Sequence, residues 1–403
     1  MEVNTPKQHL SDTISRLSES ATLAMARMAR ELREQGKDII GLSLGEPDFD
    51  TPDFIKEACK IAVDENYSHY PPVNGYGPVR EAISRKFKRD NNLDYSPDQI
   101  VVSTGAKQSL ANVVLSIVSS GEDVLLPAPY WVSYSDIVRL ANANPIGLPT
   151  SIDNDFKVTA TELEAAITPK TRMIIYSSPC NPSGSVYSRE ELEDIADVIK
   201  RNPEIYVISD EIYELINFSG DHCSLASFPE IFDQVITVNG VSKAFAMTGY
   251  RLGYIGAPLW IAKACSKIQG QFTSAPSGIS QMGAMAAVEA DPSAVEFMKK
   301  EFLKRRDMML GLLAEIPGLK LNVPEGAFYI FPNVSSYFGK NINGTTINNA
   351  TDLCMYLLEN EHVALVSGDA FGDPNCLRLS YAASEDLLRE AADRIKRGLA
   401  RLA

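Results

Sequence analysis

Residues 239–254 read Asn239-Gly240-Val241-Ser242-Lys243-Ala244-Phe245-Ala246-Met247-Thr248-Gly249-Tyr250-Arg251-Leu252-Gly253-Tyr254. One lysine stands among small and apolar residues, and an arginine follows eight positions on. A lysine amine is a nucleophile only when deprotonated, and apolar surroundings with a nearby cation lower its pKa. Such an amine forms a Schiff base with an aldehyde. A guanidinium fork matches phosphate oxygens two at a time, so Arg251 reads as the clamp for a phosphate on the same molecule. The stretch points to a ligand with an aldehyde and a phosphate handle.

Pyridoxal 5′-phosphate (PLP) is such a ligand. It draws electrons best while its ring nitrogen is protonated, so an acidic partner is expected against the ring. The segment Ile205-Tyr206-Val207-Ile208-Ser209-Asp210-Glu211-Ile212-Tyr213 is an apolar run ending in Asp210. Ligands of open α/β sheets collect at the C-terminal ends of strands. Alone, Asp210 fits a helix N-cap and Tyr213 a core aromatic. A second run, Met173-Ile174-Ile175-Tyr176, leads into Ser177-Ser178-Pro179-Cys180-Asn181-Pro182-Ser183-Gly184. Asn-Pro favours a turn in its own right, and here it sets the free amide of Asn181 at another strand end. Asn181, Asp210 and Lys243 at three strand ends make a better constellation than three separate accidents.

Apolar β-rich runs alternate with helical patterns through the middle of the chain. Strand signals at 101–102, 124–126 and 173–176 precede helical patterns at 106–119, 131–141 and 188–201. Ser188 and Glu191 form a capping box at the start of the third. Runs at 205–209 and 235–238 continue the series. Strands buried on both faces with helical crossovers predict a mainly parallel sheet between helical layers. From 291 the pattern changes. A long helix to 315, antiparallel strands over 319–323 and 327–331, another helix and a last helix from Ser384 predict a smaller α+β domain.

The chain has 403 residues, 45% of them hydrophobic, which suits a large core and two or three domains. A net charge of −14 speaks against nonspecific binding to nucleic acid or anionic membranes. No run is apolar enough to span a bilayer. Residues 1–13 lack the apolar core of a signal peptide, so a cytoplasmic location is expected. The nearest cysteines, Cys354 and Cys376, are too far apart for a Cys-x-x-Cys motif, and four scattered histidines predict no metal site. Gly75-Tyr76-Gly77 lacks the third glycine of a dinucleotide fingerprint.

An ordered set of motifs carries a resemblance over nearly the whole chain, from about residue 13. It comprises Ser43-Leu44-Gly45-Glu46-Pro47-Asp48-Phe49, Tyr70-Pro71-Pro72, Gly105-Ala106-Lys107-Gln108, Pro129-Tyr130-Trp131, Asn181-Pro182-Ser183-Gly184, Asp210-Glu211-Ile212-Tyr213, Ser242-Lys243 and Arg378-Leu379-Ser380-Tyr381. With these the chain resembles a fold type I, PLP-dependent class I aminotransferase, close to the bacterial aspartate aminotransferase branch. The resemblance implies an α/β fold: a mainly parallel seven-stranded sheet in an αβα sandwich over 51–290. The segment 1–50 would join 291–403 in the smaller domain.

It also implies roles. Lys243 holds PLP and moves the substrate α-proton. Asp210 pairs with the ring nitrogen, and Tyr213 and Asn181 with the ring oxygen. Arg251, Ser242, Gly105 and Ala106 cradle the phosphate, and Trp131 stacks on the ring. Arg378, with Gly45 and Asn181, receives the α-carboxylate. Tyr70 reaches the phosphate of a neighbouring subunit, which implies a homodimer with shared sites. Lys107 lies near the side-chain carboxylate of aspartate. Ser18-Glu19-Ser20 departs from the branch, which more often has Lys-Pro-Ser near the N-terminal lid. The expected reaction is L-aspartate with 2-oxoglutarate, giving oxaloacetate and L-glutamate by a ping-pong route. Prephenate, aromatic or alanine transamination are the alternatives, and a PLP-binding regulator is a more distant one.

Overall fold

The central apolar runs become strands because their side chains serve two cores at once. In Thr171–Ser177, Met173 and Ile175 join one hydrophobic cluster while Ile174 and Tyr176 join the other. Val207 and Ile208 divide in the same way, as do Tyr254 and Ile255. A period of two with both faces buried is the pattern of a sheet covered on each side. The computed structural model describes residues 10–342 and 344–402.

Among the described residues the central sheet has seven strands. From one edge they run Ile100–Ser103, Gly253–Gly256, Val235–Gly240, Tyr206–Asp210, Thr171–Ser177, Asp123–Pro127 and Asn144–Leu148. All neighbours are parallel except those of Gly253–Gly256, which runs antiparallel to both strands beside it. Helices Ala106–Ile117, Ser133–Leu140 and Leu259–Phe272 supply one cluster. Helices Gly77–Asn91, Arg189–Arg201 and Gly278–Glu289 supply the other. The result is the expected αβα sandwich.

The capping box forms as expected. The Glu191 amide donates to Ser188 Oγ at 3.2 Å, and the Ser188 amide to Glu191 Oε2 at 2.8 Å. Such a cap contributes about 1 kcal/mol. The long helix begins at Glu296, after a 3₁₀ turn over Pro292–Val295. The strand expected over 319–323 does not form. Lys320 makes one isolated bridge to Asn333, and the Asn322 amide turns away to Asp155 and the Ser183 carbonyl. Pro324 then removes the next donor.

Tyr329–Ile330 does join a second sheet of three antiparallel strands, with Leu377–Ser380 in the middle and Val366–Ser367 beyond it. Ile40–Gly41 pairs in parallel with Val363–Ala364. That pairing carries the segment holding Gly45 towards the C-terminal ends of the central strands. Among the described residues no helix is long and apolar enough to cross a membrane.

Candidate active site

The strands Thr171–Ser177, Tyr206–Asp210 and Val235–Gly240 end at one side of the sheet. There Asn181, Asp210 and Lys243 line a single cavity of about 320 Å³. Ala106, Lys107, Trp131, Tyr213, Ser242, Arg251, Gly45 and Arg378 line the same cavity. Gly105 stands beside it, against Arg251. Tyr70 does not line it, and is 96% exposed.

Lys243 sits just past the buried end of Val235–Gly240, and its Nζ donates to the Gly45 carbonyl at 2.5 Å. Burial, then the charges of Arg378 and Arg251, lower its pKa to about 8, against the opposing pull of Glu46 and Asp210. That is the direction a nucleophilic amine requires. Asp210 is buried, and burial raises its pKa to about 6. Two hydrogen bonds oppose the rise: the Tyr134 hydroxyl donates to Oδ2 at 2.6 Å, and the Ile212 amide to Oδ1 at 3.3 Å. Tyr213 and Tyr329 share a hydrogen bond of 2.7 Å, and burial pushes both hydroxyls up, so both stay protonated.

The end of the cavity at Arg251 is built from close approach. Gly105 has φ 82° and starts helix Ala106–Ile117. A Cβ on it would meet Arg251 Nη2 at 2.5 Å, and one on Gly253 would meet the Ala106 nitrogen at 2.2 Å. The first amides of a helix have no partner within it and form an anion site with the dipole. Arg251 is steadied by an Nη1 bond of 2.8 Å to the Thr248 carbonyl.

Arg378 is only 1% exposed, in strand Leu377–Ser380. Nη1 donates to Asn181 Oδ1 at 2.8 Å and Nη2 to the Ser43 carbonyl at 2.5 Å. The guanidinium lies 4.6 and 4.8 Å from the ring centroids of Tyr329 and Phe371. Its buried Nε has no partner among the described residues. A buried donor left unfilled beside a cavity suits an anionic ligand. Lys107 Nζ lies 4.9 Å from the Trp131 ring centroid, and burial, then Arg251, lowers its pKa.

Gly45 is held to glycine by contact. A Cβ there would stand 2.2 Å from the Tyr329 hydroxyl. Gly45→Ala is expected to displace Tyr329 from Tyr213 and lower kcat/KM on the order of ten- to a hundredfold. Steady-state kinetics with the amino donor check this; unchanged kinetics would mean the segment yields without disturbing the tyrosine pair.

Two side chains central to this geometry carried no local signal. Tyr134 orients Asp210, and Tyr329 touches Tyr213, Arg378 and Gly45. In sequence each looks like any core aromatic.

An amine with a lowered pKa, a buried carboxylate and a guanidinium at a glycine-opened helix start fit PLP in charge and donor type. With an unfilled arginine donor beside them, they define a PLP-dependent enzyme acting on amino acids. More particularly, the chain belongs to the aminotransferase class I and II family, whose model matches residues 37–395. It is a transaminase.

The chain is 50% identical over 395 residues to the bifunctional aspartate aminotransferase and glutamate/aspartate-prephenate aminotransferase of Petunia hybrida. That match covers 97% of this chain and 82% of the Petunia protein. The crystal structure of the Rhizobium meliloti aspartate aminotransferase superposes with a TM-score of 0.95 at 40% identity, covering 98% of this chain and 100% of the other. The Thermus thermophilus aspartate aminotransferase with maleate gives 0.91 at 37% identity, over 97% and 100% of the two chains.

Proposed function

We propose that the protein transfers the amino group of L-aspartate to 2-oxoglutarate, giving oxaloacetate and L-glutamate in two half-reactions at one site. The observation that carries this is the pair of cations on the cavity wall, Arg378 with its unfilled Nε and Lys107 beside Trp131. Two cations suit a substrate with two carboxylates, and the Thermus relative was solved with maleate, a dicarboxylate.

Bound PLP supplies a sink for the electrons left on Cα when its proton departs. The chain's own residues do the rest. Lys243 Nζ takes the α-proton, a task suited to an amine with pKa about 8. Asp210 would hold the proton on the ring nitrogen, and Tyr213 and Asn181 would bond the ring oxygen. Arg251, Ser242 and the amides at Gly105 and Ala106 would hold the phosphate, and Trp131 would stack on the ring. Arg378 and Gly45 orient the α-carboxylate.

If Lys107 meets the distal carboxylate, Lys107→Ala costs acidic donors more than neutral ones. Removing one partner of a desolvated charge pair costs roughly 2–5 kcal/mol, and Lys107, only partly desolvated at the wall of the cavity and still reached by solvent, puts the loss at the lower end. The measurement is the ratio of kcat/KM for aspartate to that for phenylalanine. An equal drop for both would sink the acidic-substrate assignment. Prephenate is the second reading, favoured by the Petunia relative, and amination of prephenate by the pure enzyme tests it directly.

Three further features belong to this proposal. Residues 51–290 form the large domain, and 1–50 join 291–403 in the small one; the pairing of Ile40 with Val363 supports that division. The exposed Tyr70 supports a homodimer in which each subunit reaches the other's phosphate. Six free cysteines support a reducing compartment such as the cytoplasm.

A further inference from the structure

The turn after strand Tyr206–Asp210 has two faces. Asp210 and Tyr213 line the active-site cavity. Glu211 and Glu214 turn the other way, into a buried polar cluster behind it, at 1% and 8% exposure. Glu211 Oε1 accepts from the hydroxyls of Ser209 and Ser224, each at 2.7 Å, and Oε2 lies 2.9 Å from His222 Nε2. The Tyr176 hydroxyl stands 2.9 Å from Ser209 Oγ. Glu214 pairs with the Lys86 ammonium and accepts from Asn91 Nδ2 at 2.7 Å.

The charged groups form one network, the ligand atoms of Glu211, Glu214 and His222 lying within 4.8 Å of one another, but their direct contacts differ. Helix Gly77–Asn91 brings Lys86 to Glu214 and Arg89 to Asp90, with Lys86 also 3.8 Å from Asp90. Arg189 reaches the Cys223 sulfur, at 3.8 Å. Burial keeps Tyr176 and Tyr254 neutral by pushing their hydroxyls well up. Among the described residues only His222 is in contact with Glu211 as a group able to carry a positive charge. A buried carboxylate without a counter-charge is strongly disfavoured. Burial works against a proton on His222, but the charge and hydrogen bond of Glu211, then Glu214, outweigh it, with Lys86 opposing. The net result is a pKa above the usual histidine value. Glu211 in turn is one of the groups that raise Asp210.

We propose that His222 and Glu211 are positioning residues for Asp210: a buried imidazolium–carboxylate pair that braces the Asp210–Tyr213 turn from behind and cancels the negative charge next to the carboxylate facing the cofactor. The inference rests on the assignment of Asp210 to the ring nitrogen. When His222 loses its proton, Glu211 stands uncompensated and every proton held nearby binds more tightly. The sign for stability follows from the raised folded pKa. The pair stabilises the fold fully below the unfolded histidine value of about 6.5, and that contribution is lost as pH rises through the folded value.

Two measurements on the holoenzyme test this. The chain has four histidines, so in ring-labelled protein the NMR signal missing from His222→Gln identifies His222. It is expected to titrate above about 6.5, and to fall in Glu211→Gln. A His222 neutral across pH 5.5 to 8 would overturn the proposal.

The second measurement is the pH midpoint of the cofactor's visible absorbance. His222→Gln keeps a donor but removes the positive charge, so the midpoint moves up. Glu211→Gln removes the negative charge, so it moves down. Each shift is expected to be roughly half a unit to one unit. A purely structural role would lower Tm in both variants and leave the midpoints together, and that result ends the idea. If His222→Gln does not fold, the wild-type titration and Glu211→Gln still decide. Near-normal rates in Asp210→Asn alongside opposite midpoint shifts would instead remove the Asp210 assignment and leave the pair standing.

Discussion

Lys243→Ala is expected to slow transamination by about 10⁴-fold, because in the proposed mechanism it removes both the covalent anchor and the base for the α-proton. Arg251, the helix start at Ala106 and Asp210 are untouched, so the variant still binds PLP, without the covalent link. Borohydride reduction of the wild-type enzyme followed by peptide mapping gives the direct check. The label belongs on Lys243, and a label on any other lysine would end this assignment. The bond from Nζ to the Gly45 carbonyl is also lost, so a modest fall in Tm accompanies the kinetic effect without explaining it.

Asp210→Asn is expected to cost on the order of 10³-fold in α-proton removal, since a neutral amide does not hold a proton on the ring nitrogen as a carboxylate does. Single-turnover rates with α-deuterated donor isolate that step. Stability should move the other way. Burial raises the folded pKa of Asp210 to about 6 from an ordinary 3.8. Its contribution to stability is therefore full below about 3.9 and lost as pH rises through about 6. At neutral pH the apo variant should melt no lower than the apo wild type. Near-normal rates would reduce Asp210 to a turn residue held by Tyr134.

The sheet was legible in the sequence wherever a strand is a continuous apolar run, because both faces of such strands are buried. Gly253–Gly256 was not: two of its four residues are glycines, and its meaning depends on strands far away in the chain. Asn144–Leu148 was hidden by Pro145 and Gly147, which an edge strand tolerates. The expectation for 319–323 failed because an apolar alternation there was outweighed by the long-range bonds of Asn322.

At the site, groups whose chemistry is costly to bury stood out. Lys243, Asp210 and Arg378 needed a reason to lie in apolar context. Tyr134 and Tyr329 did not, since an aromatic needs no reason to be in a core. Their roles rest on single hydrogen bonds to partners 76 and 116 residues away.

The antiparallel strand Gly253–Gly256 also bears on the order of assembly. Because it turns straight back from Val235–Gly240, Lys243 and Arg251 belong to one hairpin connection and reach the same cavity once that hairpin closes. Arg378 is the opposite case. Arg378 reaches its partners across 197 and 335 residues of chain, and needs both ends of the polypeptide to be in place. Closing long loops is entropically slower than closing short ones. During folding, Lys243 and Arg251 can therefore be joined while the Arg378 side of the cavity is still open. Cofactor capture in such a chain need not wait for a finished enzyme.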